Sequence, residues 1–419
     1  MQFGIFYEHQ LPRPWTEDSE HRLLKEALDQ VELADRLGID YAWEVEHHFL
    51  EEYSHSSAPE VFLAACSQRT RQIRLGHGII LMPSSFNHPA RVAERLATLD
   101  LISDGRVEWG TGSSSSRSEL EGFNIDPEQK HLMWEESVRE AAKMMVMEPY
   151  PGFQGQSFTM PPRNVVPKPL QKPHPPLWLA CSNRETIKIA ARYGMGALTF
   201  AFIDPDSASH WVEEYYETFE RECDPIGRAV NPNLAIVAGF MIHEDSSEAE
   251  RRGARNFQFF GYALSHFYIT GSHVPGDFDL WQDFQRNMPE KYEPSAGIGS
   301  PAQVARNLEA LEEAGVDQVV FVQQAGNNRH DHICESLELF SEQVMPAFKD
   351  RHEGRQKRKL ERLEPAIERA MQRVPELPPV AGLPPLDAYP VLAAKAGQAE
   401  QPERPTEGDN IVTAISGRG

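Results

Sequence analysis

The sequence predicts an α/β fold, a (β/α)8 barrel with insertions and a C-terminal extension. Eight short apolar runs alternate with longer amphipathic stretches, the repeat expected of parallel strands joined by helices. Eight strands close into a barrel more naturally than they lie open, since doubly wound sheets usually carry fewer. The turn after the first run, "EHQLPRPW", also lacks the Gly-x-Gly-x-x-Gly fingerprint of an open nucleotide-binding sheet.

The first strand is "QFGIFY". "EHRLLKEALDQVELADRLG" follows as a helix, with Leu24, Leu28, Val31 and Ala34 at helical spacing and Gly38 as its stop. "IDYAWEVE" is the second strand, "PEVFLAACSQRT" a helix and "IRLGHGIILMP" the third strand. The glycines of that third strand mark a bulge, or the close approach of a ligand or another backbone. "HPARVAERLATLDLISDG" is a helix, "RVEWGTG" the fourth strand and "HLMWEESVREAAKMMV" a helix. The segment from Pro149 to Pro176 is rich in proline and glycine and reads as a long loop or hairpin. "PLWLACS", "MGALTFA", "NLAIVAGFMI" and "VDQVVFVQQ" are the remaining strands, with helices over "RETIKIAARYG" and "PAQVARNLEALEEAG".

Between about Gly253 and Gly299 aromatics mix with glycines, an insertion of the kind barrels carry on their chemical face. Two regions follow from composition. Residues 1–349 form the barrel; residues 350–419 are first charged, then proline-rich and partly disordered.

The net charge of −22 argues against nucleic acid and anionic membranes as partners. Four scattered cysteines without a Cys-x-x-Cys pair suggest reduced thiols in the cytoplasm. Neither a signal peptide nor a membrane-spanning run is evident.

Side chains at the C-terminal ends of barrel strands face the site of chemistry. The second strand ends in Glu46, His47 and His48, where a carboxylate beside an imidazole raises its proton affinity and fixes its tautomer. The histidines are adjacent rather than two apart, so no catalytic metal is expected. The fourth strand ends in "GTGSSSSRSELEGF", where Gly110 and Gly112 admit a ligand and Ser113 to Ser116 offer hydroxyls and N–H groups. After the fifth strand, Ser182 or Asn183 caps the next helix, whose free N–H groups also suit an anion. With Arg117, Lys130 and Arg184 nearby, the two loops suggest one bound phosphate.

"MQFGIFY", "EVEHHF", "IRLGHGIILMPSSFNHPARVAERLATLDLISDGRVEWGTG" and "IGSPAQVARNLEALEEAGVDQVVF" resemble the bacterial luciferase-like flavin monooxygenases, from Met1 to about Lys349. The resemblance implies a TIM barrel, often paired as a homodimer through early helices. It implies reduced FMN, supplied by a separate NAD(P)H-dependent flavin reductase, and O2 that forms a flavin peroxide to oxygenate an organic substrate. His47 maps to a catalytic base and Glu46 to the acid before it. A non-prolyl cis peptide supporting the flavin ring maps between Gly78 and Ile79.

The reactive cysteine and phosphate-binding arginine of the luciferases are replaced by Gly112 and Ser113, which places light-emitting aldehyde chemistry in doubt. The phosphate contacts implied are Ser113, Ser114, Lys130, Ser182, Asn183 and Thr186. The stretch Ser272 to Pro294 matches a mobile active-site loop that would exclude water. Phe6, Phe200 and Trp281 suggest a small apolar substrate. A deazaflavin-dependent oxidoreductase and a non-catalytic flavin-binding protein are the alternative readings.

Overall fold

Eight parallel strands close on themselves in the computed structural model, which describes residues 1–200, 205–287 and 295–386. They are β1 (Gln2–Tyr7), β2 (Tyr41–Glu44), β3 (Arg74–His77), β4 (Val107–Gly112), β5 (Leu177–Cys181), β6 (Gly196–Thr199), β7 (Leu234–Ile242) and β8 (Gln318–Val322). Closure is made where β1 meets β8, with Gln2 opposite Gln318 and Phe6 opposite Val322. Each strand is almost wholly buried, as expected when helices cover the outside and side chains fill the inside. Phe6, Trp43, Trp178, Leu198, Val237 and Val322 belong to one apolar cluster that runs from the barrel up to its C-terminal rim.

The helices are α1 (Ser19–Leu37), α2 (Pro59–Arg69), α3 (Pro89–Ile102), α4 (Arg117–Gly122), α5 (Lys130–Val146), α6 (Arg184–Arg192), α7 (Pro205–Glu222), α8 (Ser246–Ser265), α9 (Leu280–Asn287), α10 (Pro301–Glu313), α11 (His330–Gln343) and α12 (Met345–Arg373). Helix α1 stops at Gly38, φ +84°, as the sequence suggests. Its buried face is Leu23, Ala27, Val31 and Ala34, so Leu23 rather than Leu24 starts the apolar stripe. The pair Leu23–Leu24 is apolar at both positions, and only tertiary packing selects one.

The proline-rich segment forms the expected hairpin, Phe153–Gln154 against Thr159–Met160. Between β7 and β8 the chain is more helical than expected, because the aromatics of α8 pack on the barrel: Phe259 and Phe260 are fully buried. Helix α12 holds the charged stretch and crosses the compositional boundary at 349/350. It docks on the barrel floor, with the Phe348 ring 5.5 Å from that of Phe3. Contacts divide the chain into Met1–Pro379 and Val380–Gly419. Of the second unit only 380–386 are described, without regular structure. The rest of the proline-rich tail, and 288–294 of the expected loop, lie outside the described residues.

The third strand is broken, as its glycines suggested. Beyond β3 the chain bulges at Gly78–Ile79 and resumes at Ile80–Leu81 beside β4. What approaches closely at Gly76 is protein: a Cβ there would stand 2.2 Å from the Trp43 ring. The expected cis peptide at Gly78–Ile79 is absent, since every cis bond among the described residues precedes proline. A trans peptide is the lower-energy form. It also leaves Gly78 N–H donating to the Glu44 carbonyl at 2.6 Å and Ile79 O accepting from Glu46 N–H at 3.1 Å.

Candidate active site

The C-terminal ends of β1 and β2 deliver acids and imidazoles to one rim. Past β1 come Glu8 and His9, both buried, and past β2 come Glu46, His47 and His48. Beyond the strand end Glu46 and His48 turn toward one another, while His47 turns toward Glu8 and Glu119. Glu46 therefore does not orient His47. Its carboxylate accepts from Leu81 N–H at 2.7 Å and Asn87 Nδ2 at 2.8 Å, and lies 3.3 Å from His48 Nε2. Glu46 thus ties the second strand end to the third, and His48 rests against the rings of Phe86 and Phe123.

His47 instead sits among residues distant in sequence. Its Nδ1 is 3.0 Å from Glu119 Oε1, and its Nε2 is 3.5 Å from Glu8 Oε2. The Tyr53 hydroxyl donates to Glu8 Oε1 at 2.9 Å. Glu119 also accepts from the Ser114 hydroxyl at 2.6 Å and from His48 N–H at 2.9 Å. Tyr268 belongs to a π-helical turn, His266–Thr270, that prolongs α8, and its hydroxyl lies 3.2 Å from His47 Nδ1. Such turns recur at functional sites because they re-aim one side chain out of helical register.

Burial works against an imidazolium, but the Glu8 and Glu119 carboxylates outweigh it and push His47 up to about 9. Burial pushes Glu8 up to about 7, although His47 and the Tyr53 hydroxyl pull the other way. Burial would also raise Glu119, yet His47 and the Ser114 hydroxyl hold it below the usual carboxylate range. At neutral pH the rim thus holds a protonated His47, an ionised Glu119 and a Glu8 near its midpoint. This arrangement donates and accepts protons from neighbouring atoms. Behind it His9, φ +53°, bridges Glu44 Oε1 at 2.8 Å and Gln324 Oε1 at 2.9 Å.

The expected phosphate residues lie together on the adjoining rim. The β4–β5 register pairs Thr111 with Leu179, so Ser113 and Ser114 leave the barrel beside Cys181 and Ser182. The Ser113 and Ser182 hydroxyls make no hydrogen bond within the described residues. Asn183 and Thr186 form a reciprocal capping box on α6, with Asn183 Oδ1 accepting from Thr186 N–H at 3.0 Å. The first-turn N–H groups before Thr186 have no intrahelical partner. Lys130 reaches the Ser114 carbonyl and, at 3.3 Å, the Ser115 hydroxyl. Arg117 and Arg184 are exposed and pair outward with Glu121 and Glu214, so they leave the phosphate reading. Gly112 has no Cβ, and the Ile79 side chain occupies that space beside Gly78 to form an apolar ledge. Uncommitted hydroxyls and helix N–H groups next to an apolar ledge suit a flavin nucleotide, polar at one end and flat and apolar at the other.

Aromatics roof the mouth. Phe6 and Phe200 lie 5.3 Å apart, and Trp281 packs on Phe259 at 4.9 Å. Glu52 pins this segment by accepting from Trp281 N–H at 3.0 Å and Arg13 N–H at 3.1 Å.

Sequence reasoning missed Glu8, Glu119 and Tyr268. Glu8 immediately follows the first strand, so the strand-end rule reaches it. Tyr268 lies in the aromatic insertion expected on the chemical face, but nothing local pairs it or Glu119 with His47, 221 and 72 residues away.

The family profile described as luciferase-like monooxygenase matches residues 1–318. An uncharacterised protein of Sinorhizobium fredii is 30% identical over 338 residues, covering 76% of this chain and 89% of that one. The oxygenase component of the flavin-dependent trigonelline monooxygenase of Acinetobacter baylyi is 25% identical, covering 84% of this chain and 96% of its own. Among solved structures, the monooxygenase RslO1 of Streptomyces bottropensis superposes with a TM-score of 0.68 at 24% identity, covering 83% of this chain and all of that one.

Proposed function

The chain belongs to the luciferase-like monooxygenase family, and from that premise we propose that it is the oxygenase of a two-component, FMN-dependent system acting on a small apolar organic substrate. The observation that carries this reading is His47 held between Glu8 and Glu119 beneath Tyr268. A proton-handling cluster at the mouth of a barrel, beside uncommitted phosphate donors, is what such chemistry requires of the protein.

Ser113, Ser114 and Ser182, the start of α6 and Lys130 would hold the phosphate, and Ile79 would support the ring. Reduced FMN, when bound, supplies the electrons and activates O2. His47 would hold or donate a proton at its imidazole nitrogens, and Glu8 would take up or return that proton. Tyr268, Trp281 and Phe200 exclude water and present an apolar surface to the substrate. A separate NAD(P)H-dependent reductase supplies the flavin. Exposed Val61 on α2, and Leu101 and Ile102 at the end of α3, support pairing of two copies through these helices. The four cysteines are unpaired, which supports residence in the cytoplasm.

Purified protein mixed with reduced FMN or with reduced deazaflavin, with and without O2, tests the reading. Oxygen-dependent substrate conversion with reduced FMN alone is expected. Conversion with deazaflavin in the absence of oxygen, or flavin binding without any conversion, would overturn it.

A further inference from the structure

We propose that Glu119 is a positioning residue linking the serine loop after β4 to His47, so that an anion entering the loop draws a proton onto the Glu8–His47 pair. The proposal rests on the reading of that loop as the flavin phosphate site. Glu119 is fully buried and gathers three groups from two strand ends: the Ser114 hydroxyl at 2.6 Å, His48 N–H at 2.9 Å and His47 Nδ1 at 3.0 Å. Ser114 is locked in place at φ +61°, with Lys130 on its carbonyl and Ser116 N–H donating to its hydroxyl at 3.1 Å. One side chain of the proposed phosphate cradle is therefore also a hydrogen-bond donor to the partner of His47.

The charged and titratable groups around His47 come from every neighbouring element. Glu8 projects from the end of β1, Glu119 from α4, Glu46 from its own loop, Tyr53 from the turn Glu51–Tyr53 and Tyr268 from the π-helical turn. Among the described residues, His47 is the only cation paired with Glu8 or Glu119. While the loop is free, the Ser114 O–H stabilises the ionised Glu119. A phosphate that recruits this hydroxyl removes that support and adds negative charge nearby. Both effects raise the proton affinity of the cluster. Glu8 is the member with its midpoint closest to neutrality, so it takes the proton. By linkage, flavin affinity falls as pH rises through that midpoint.

Calorimetric titration of the full-length chain with oxidised FMN, at pH 7.5 in two buffers of different ionisation heat, measures the proton uptake. A tenfold rise in the proton affinity of Glu8, from about 7, gives an uptake of roughly half a proton per FMN bound. Glu119→Gln is expected to lower this uptake roughly twofold or more. Ser114→Ala, which leaves the buried carboxylate in place, is expected to do the same and decides the matter if Glu119→Gln fails to fold. Uptake unchanged in Ser114→Ala, or absent from the wild-type chain while Ser182→Ala still weakens FMN, overturns the coupling and leaves the phosphate site standing. An FMN affinity indifferent to both Ser113→Ala and Ser182→Ala overturns the phosphate site, and the coupling with it.

Discussion

The Tyr268 hydroxyl lies 3.2 Å from Nδ1 of His47, joining residues 221 apart in the chain. This contact fastens the turn after α8 to the second strand end. Tyr268→Phe keeps the ring that packs on Tyr53 but removes the hydroxyl. One hydrogen bond near a charged partner contributes about 1.5–3 kcal/mol, so turnover should fall roughly ten- to hundredfold. The melting temperature should fall by a few degrees, since the same contact ties the turn to the strand end. A wild-type turnover number would detach Tyr268 from the chemistry.

His47 itself is the next test. His47→Ala removes the group shared by Glu8 and Glu119, while Ser113, Ser182 and α6 are untouched. Turnover is expected to drop at least about tenfold while flavin still binds, the range typical of a lost proton-transfer group. Steady-state rates and a flavin titration read the two effects separately, and unchanged rates would remove His47 from the mechanism.

The parts of the fold legible in the sequence were those written by local pattern. Gly38, the capping sequence "SNRET" and the apolar runs each encode an element within a few residues. The rim at Glu46 to His48 was legible because a strand turned polar where strand ends carry chemistry. Its wiring was not. His47 finds Glu119 and Tyr268 only through closure of the barrel, and pairing Glu46 with His47 mistook sequence adjacency for a shared face. Helix α8 hid behind its aromatics and glycines, which read as an insertion until packing buried Phe259 and Phe260.

Stability should fall as pH rises across the neutral range. Glu8 is raised from 4.5 to about 7, so its contribution is fully present below 4.5 and is lost as pH rises through 7. His47 is raised from 6.5 to about 9, so its contribution is fully present below 6.5 and is lost as pH rises through 9. Both act in the same direction, and melting temperatures should decline between pH 6 and roughly 9. His47→Gln should flatten the upper part of that decline, and Glu8→Gln the lower part together with some of the upper, because the Glu8 carboxylate helps to raise His47. Melting curves of the two variants that parallel the wild type would contradict the assignment.

Ser182→Ala should weaken FMN binding. Its hydroxyl has no partner to lose among the described residues, so the substitution is expected to leave the apo fold intact. A phosphate hydrogen bond contributes roughly 1.5–3 kcal/mol, which is about a ten- to hundredfold change in dissociation constant. A titration showing no loss would place the phosphate elsewhere.

Gly110 tests the barrel rather than the ligand. Its sequence context suggested room for a bound molecule, but a Cβ there would stand 1.9 Å from the carbonyl oxygen of His77. That oxygen is backbone of the neighbouring strand and cannot swing aside as a side chain could. Gly110→Ala must therefore push β3 from β4 just below the bulge that carries Ile79. The cost should reach about 3 kcal/mol, the upper end of the overpacking range, because no rotamer relieves the contact. Gly112→Ala meets only the Ile79 side chain, with Cδ1 at 2.5 Å, and that chain can turn away. Denaturant unfolding of both variants should thus show a clearly larger loss for Gly110→Ala, with Gly112→Ala registering mainly as weaker flavin binding. Equal losses of stability would mean that the two strands are not held as tightly together as the His77 carbonyl implies.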